Sequence, residues 1–296
     1  MGSHISIFKT TIYNSEWIKY PGIWGNVFVE FVPDNHIQNV QVKPDIRGKR
    51  IVTNVYMKHK NCAIRAKIPE LNVNIQSDRP KIVIPLEDFT IWGPDSPQLY
   101  NLQIECITDT NIDLAEVKFG MRDFSVNENK FILNFKPFFL RAFPFHWNFK
   151  DLNTSLFSED KLREFFLQLI KAQFNFIISY GQPLPEKIIR ICDEIGIMIA
   201  ETPSFQYDTN LKKWRELALN EIEELLNKNI NNPSLAWLFF EYTSNNFNAS
   251  NFVHKIRKID RSRFISLNTS NPSSNYSSYY CIPYNIDLLP MEIIWT

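Results

Sequence analysis

Glycine is scarce in this 296-residue chain, at 8 residues, and no Gly-rich loop that could cradle a phosphate occurs. No G-x-S-x-G nucleophile elbow and no H-E-x-x-H zinc motif is present. The four cysteines, Cys62, Cys106, Cys192 and Cys281, are far apart and form no C-x-x-C pair. That spacing argues against a zinc or dithiol redox motif, and no metal or cofactor is implied. Cys62, Cys106 and Cys192 lie in apolar surroundings and read as reduced core thiols, which leans towards a reducing, cytoplasmic setting. No apolar run reaches the ~18 residues of a membrane span. Excess charge of one sign is also missing: 32 Lys+Arg balance 32 Asp+Glu, which gives no electrostatic footprint for nucleic acid or an anionic membrane. The opening Met1-Gly2-Ser3-His4 looks like a cloning remnant, with no charged-then-apolar signal segment behind it.

What the chain does have is apolar bulk, with 44% hydrophobic residues including 24 Phe and 7 Trp. Such a composition fills a large core and leaves room for two domains. Val27, Val29 and Phe31 alternate with Phe28 and Glu30, the period of a strand. Residues 34–125 read as all-β. Strands are expected at 37–45, 50–56, 63–68, 81–84 and 99–106, separated by turns at the spacing of a sandwich. From about 126 the period changes. Leu162, Phe165, Phe166, Leu169 and Ile170 follow the i, i+3, i+4, i+7, i+8 rule of an amphipathic helix, with Ser158 and Glu159 as start signals. Short apolar strands at 175–180, 197–201, 235–241 and 263–267 then alternate with helices at 185–195, 211–225 and 246–259. Gly196 stops the first of these helices. A sixth strand is expected near Tyr279-Tyr280-Cys281-Ile282. Alternating apolar strands and helices predict a parallel sheet with helices outside.

Several motifs fall in one order. Gly22-Ile23-Trp24 precedes the strand that ends near Pro33, and Ile91-Trp92-Gly93-Pro94-Asp95-Ser96-Pro97-Gln98-Leu99-Tyr100 follows. Next come Phe119-Gly120-Met121-Arg122, Phe131-Ile132-Leu133-Asn134-Phe135-Lys136-Pro137 and His146. Cys192-Asp193-Glu194-Ile195-Gly196-Ile197 and Asn231-Asn232-Pro233-Ser234-Leu235 complete the series. Together they resemble glycoside hydrolase family 2, whose junction pattern reads F-G-F-R, then F-x-L-N-G-K-P, then a histidine. The resemblance implies three parts. Residues 1–33 hold the remnant and the end of a jelly-roll sugar-binding domain. Residues 34–125 form an immunoglobulin-like β-sandwich. Residues 126–296 form a partial TIM (β/α) barrel, since they suffice for only five to six units of roughly 30 residues. An open parallel sheet exposes edges, so self-association is expected.

The resemblance also implies chemistry: retaining hydrolysis of a terminal β-linked sugar by two carboxylates at the C-terminal ends of barrel strands. The family's acid/base is the Glu of an Asn-Glu pair ending the fourth strand. Here that strand reads Trp237-Leu238-Phe239-Phe240-Glu241-Tyr242-Thr243, with no such pair. Counted without a gap, Glu241 lies two residues before the expected acid and shares its face; with a one-residue deletion it occupies the asparagine position. Glu201, ending the third strand, resembles another acidic position, and Glu292 is a displaced candidate nucleophile. His146, Asn175, Tyr180 and Trp237 match positions expected to meet the sugar. Ile178 stands where the family has an arginine that clamps carboxylates. The Asn- and Tyr-rich stretch 268–280 reads as a loop at the functional end. The expectation is thus a family 2-like protein acting on or binding a β-linked glycan, with catalysis impaired or lost. A non-catalytic carbohydrate-binding or structural relative is the alternative.

Overall fold

In the computed structural model, the structure describes residues 27, 29, 31–59, 62–109, 111–127, 130–145, 158–179, 183–201, 212–242, 249–269, 278–281 and 289–291. The first half is a sandwich of two antiparallel sheets. One is built from β1 (Ile37–Asp45), β2 (Arg50–Met57) and β5 (Lys81–Pro85), in that order. The other runs β4 (Val73–Ser77), β3 (Ala63–Ile68), β6 (Tyr100–Ile107) and β7 (Ile112–Phe119). Period two sets the inward faces. Ile51, Thr53 and Val55 of β2 are buried, as are Tyr100, Leu102, Ile104 and Cys106 of β6. The two faces meet in one core that also takes in Val40, Ile64, Ile84 and Phe119. The sequence pattern leaves out β4 and β7. Both are edge strands, and polar residues interrupt their apolar positions.

Residues 27, 29 and 31–33 belong to no strand, against the expectation, and Val27, Val29 and Phe31 are exposed. Alternation makes a strand only where a neighbouring ladder is present, and these residues pair with none among the described ones. The cysteines also differ from expectation. Cys62 and Cys106 form a disulfide, with Cα atoms 5.8 Å apart. The β3–β6 register, which sets Ile64 opposite Cys106, brings them together. Of the three thiols read as reduced, only Cys192 is free, and it is buried. A Cys62–Cys106 disulfide is not what a reducing compartment favours.

A small antiparallel sheet follows: β8 (Phe124–Asn127), β9 (Lys130–Leu133) and β10 (Lys136–Pro137). Its tight β9–β10 turn puts Asn134 at φ 51° and Phe135 at φ 68°. Phe131 stacks on Phe124 at 5.8 Å and meets Trp237 and Phe264 at 5.7 Å each. The hairpin thereby plugs one face of the sheet that comes next.

That sheet has seven strands in linear order: β11 (Ala142–Phe145), β12 (Phe176–Ser179), β13 (Met198–Glu201), β14 (Leu235–Tyr242), β15 (Phe264–Thr269), β16 (Ser278–Cys281) and β17 (Leu289–Met291). The first five are parallel, as expected. Helices α1 (Glu159–Lys171), α2 (Glu186–Ile195), α3 (Lys212–Asn229) and α4 (Ala249–Ile259) connect them. The Ser158 hydroxyl accepts from the Lys161 N–H to start α1, and Gly196 at φ 85° ends α2. The expected sixth parallel strand is corrected: β16 runs antiparallel to β15, and β17 antiparallel to β16. The short connection 270–277 explains this, because a parallel return needs a crossover of about a dozen residues.

Sandwich and sheet are tied by polar groups. Trp92, fully buried, donates its indole N–H to the Asp193 carbonyl at 2.8 Å. The Asn231 side chain accepts from the Val42 N–H and donates to the Val40 carbonyl, at 2.8 and 2.7 Å.

Candidate active site

Strand register decides which residues share each face of the parallel sheet. One rung is Phe145, Ser179, Glu201, Leu238 and Ile265. Phe145, Leu238 and Ile265 pack with Leu162 and Phe166 of α1, Ile188 of α2 and Ile222 of α3, so this rung faces the helices. The neighbouring rung is Pro144, Ile178, Ala200, Trp237 and Phe264. Its members from Ile178 to Phe264 pack with Trp92, Phe124 and Leu133, on the opposite, inner face.

Glu201 therefore sits on the helix side. It is fully buried, and its Oε1 accepts from the Leu184 N–H. Its Oε2 has no hydrogen-bond partner among the described residues. Burial pushes its carboxyl up to about 7, against the lowering effects of the Leu184 hydrogen bond and of Arg263 and Lys228. A perturbed carboxyl is a usual marker of a catalytic acid, but this one is turned away from the face where the expected sugar chemistry lies. Glu201 stands at the C-terminal end of β13, on the helix side of the sheet.

Position 241 falls elsewhere. It pairs with Asn268, four rungs beyond the Trp237–Phe264 pair and two beyond the next inner-face pair, Phe239 and Ser266. Strand alternation gives positions 237, 239 and 241 one face. Position 241 thus lies on the inner face near the C-terminal end of β14, where barrel enzymes keep their chemistry.

Trp237 and Asn175 are occupied in holding structure. Trp237 is nearly buried and donates its indole N–H to the Ser266 hydroxyl at 2.8 Å. Rings of Phe264, Phe131, Phe239 and Phe176 surround it at 5.4 to 6.4 Å. Asn175 directly precedes β12, at the N-terminal ends of the parallel strands, whereas position 241 is near the C-terminal end of β14. The Asn175 Oδ1 accepts from the Arg141 N–H at 2.9 Å and its Nδ2 donates to the Phe139 carbonyl at 3.0 Å. Ile178 is buried on the inner face, an aliphatic filling where the resemblance expects a guanidinium. His146, Tyr180 and Glu292 lie outside the described residues.

Three further buried charged side chains, Asp193, Arg263 and Asp260, hold structure. Asp193 accepts from the Ser234 N–H at 2.8 Å and from the Asn232 amide, joining α2 to the start of β14. Burial pushes its carboxyl up to about 6. Arg263 pairs with Asp260, and both are nearly fully buried. The Cys192-Asp193-Glu194 motif is visible in sequence, but the partners of Asp193 come from the turn before β14, some 40 residues on. Among the described residues no group of three His, Cys, Asp or Glu side chains could hold a metal ion, and no helix is long and apolar enough to cross a membrane.

The family model for glycosyl hydrolases family 2 matches residues 30–122, the sandwich and the chain leading out of it. Curated relatives extend the likeness into the parallel sheet. A beta-galactosidase of Thermoanaerobacter pseudethanolicus is 23% identical over 74% of this chain, and a beta-glucuronidase of Streptococcus agalactiae serotype V 22% identical over 78%. The family model and these relatives together support a member of glycosyl hydrolase family 2. This chain spans 32% and 42% of those two relatives' lengths. Among solved structures, apo Bacteroides uniformis beta-glucuronidase 3 matches 80% of this chain and 33% of its own, with TM-score 0.64 at 20% identity. A family 2 beta-galacturonidase from Eisenbergiella tayi, bound to galacturonate, matches 80% of this chain and 47% of its own, with TM-score 0.68 at 16% identity. These two likenesses are of fold.

Proposed function

We propose that this chain is the immunoglobulin-like sandwich and part of the (β/α) barrel of a family 2 glycosidase. Its inner sheet face takes the terminal sugar of a β-linked glycan. β-Galactosides and β-glucuronides are the first classes to try, from the names of the curated relatives. Glu241 is the acid/base carboxylate. The observation that carries this reading is the register of β14, in which position 241 shares the inner face with 237 and 239 near the strand's C-terminal end.

Retaining hydrolysis needs a second carboxylate about 5 Å from the first. Among the described strand positions of the inner face, none besides 241 is Asp or Glu. The chain by itself accordingly binds sugar and turns it over slowly or not at all, unless Glu292 or another chain supplies the nucleophile. The test uses 4-nitrophenyl β-D-galactoside and β-D-glucuronide. Saturable binding of one glycoside is expected, and any turnover falls at least about 100-fold in Glu241→Gln with binding retained. Turnover unchanged by Glu241→Gln, or no saturable binding of either sugar, sinks the proposal.

A further inference from the structure

Around the N-terminal ends of β14 and β15, away from position 241, lies a cleft of about 820 Å³. That volume suits a small ligand. The β1–β2 turn, the segment from Phe119 to Asn127 and the approaches to β14 and β15 wall it. Lys43, Arg47, Arg122, Arg257, Arg261 and Arg263 line it, against Asp45, Asp123 and Asp260. Two of those carboxylates are already engaged. Asp45 accepts from Arg50 and from the Gly48 N–H, and Asp260 accepts from Arg263 and Ser262. Arg263 also donates to the carbonyls of Asn229 and Asn232.

Arg122 is held differently. It is only 8% exposed, and its Nη1 has no hydrogen-bond partner among the described residues. Burial lowers its pKa to about 10, which leaves it a cation at neutral pH. A buried cation with an unmet N–H donor is costly, and a guanidinium fork fits the oxygens of a carboxylate or phosphate. A second feature sits at the mouth. Exposed Arg47 lies 4.6 Å over the ring of Phe135, and both line the cleft. Phe135 has φ 68°, a conformation that bulky side chains rarely adopt. The strained turn presents an aromatic platform that holds Arg47 at the opening.

We infer that this cleft binds a small oxyanion (a phosphate, sulfate or carboxylate group) through Arg122 within it and Arg47 at its mouth. The site is separate from the inner-face sugar chemistry and does not depend on it. The experiment follows thermal melting of the full 296-residue chain in anion-poor buffer, titrated with inorganic phosphate, sulfate or succinate. Chloride at matched ionic strength is the control. A saturable rise in melting temperature is expected with at least one oxyanion and not with chloride. Preference for phosphate and sulfate assigns a tetrahedral oxyanion; preference for succinate assigns a carboxylate. Arg122→Met weakens the response about 10- to 100-fold, the effect of losing a charge-assisted hydrogen bond. Arg47→Gln, an exposed change that keeps the fold, weakens it several-fold and carries the test if Arg122→Met fails to fold. A response no larger than that to chloride, or one that both variants retain, overturns the inference.

Discussion

Glu201→Gln isolates the cost of burying a carboxyl on the helix side of the sheet. The ordinary glutamate value is 4.5, and the folded protein pushes Glu201 to about 7, chiefly by burial. Between those values the folded chain keeps a proton that the unfolded chain releases. Stability therefore falls as pH rises through the window from 4.5 to 7, and the loss is complete above it. At 1.36 kcal/mol per pH unit the loss amounts to roughly 3 kcal/mol. Glutamine never ionises, so the variant escapes this loss. Its Oε1 still accepts the Leu184 N–H. Its amide NH₂ replaces an oxygen that has no partner among the described residues, which costs about 1–3 kcal/mol at every pH. The informative quantity is thus the change in the variant-minus-parent difference with pH. Asp193, also raised, adds a similar slope to both proteins and cancels. Urea unfolding followed by tryptophan fluorescence at pH 5, 6, 7 and 8 measures it. Glu201→Gln should gain about 2.5 kcal/mol on the parent between pH 5 and pH 8, the rest of the loss lying below pH 5. A difference that stays flat across that range, or moves the other way, refutes the burial argument.

Three further substitutions probe other parts of the chain. Asn175→Ala removes both side-chain bonds to the backbone at Arg141 and Phe139 and should cost about 2–3 kcal/mol in urea unfolding, with glycoside binding unchanged. Gly196→Ala adds a Cβ at φ 85° and 2.8 Å from the Pro94 carbonyl oxygen, so a loss of at least about 2 kcal/mol is expected by the same assay. Phe135→Gly relieves a left-handed backbone and should raise stability by about 1 kcal/mol, while the phosphate response weakens because Arg47 loses its ring.

The residues that form strands and helices were legible because apolar period is a local property. Phe176 to Ser179 and Met198 to Glu201 are short apolar runs, and each is followed by a helical pattern or a turn signal. What local pattern does not carry is pairing. The direction of β16 follows from the length of 270–277, and the chemistry of Cys62 follows from a ladder that sets Ile64 against Cys106 across the sheet. The candidate site turns on the same kind of information. A slip of one residue exchanges the two faces of a strand. Glu201 and Glu241 both stand near the C-terminal ends of neighbouring strands and look equivalent in sequence. Register separates them. Glu201 shares a rung with Leu238, which packs against the helices, whereas position 241 lies four rungs beyond Trp237, an even number, and so on the inner face. A carboxyl raised towards neutrality by burial would ordinarily draw attention as the acid. Here its face argues otherwise, so the pH dependence of stability should follow Glu201 while the pH dependence of any turnover should not. A turnover profile whose neutral limb shifts in Glu201→Gln and stays in place in Glu241→Gln would reverse the assignment of the two carboxylates.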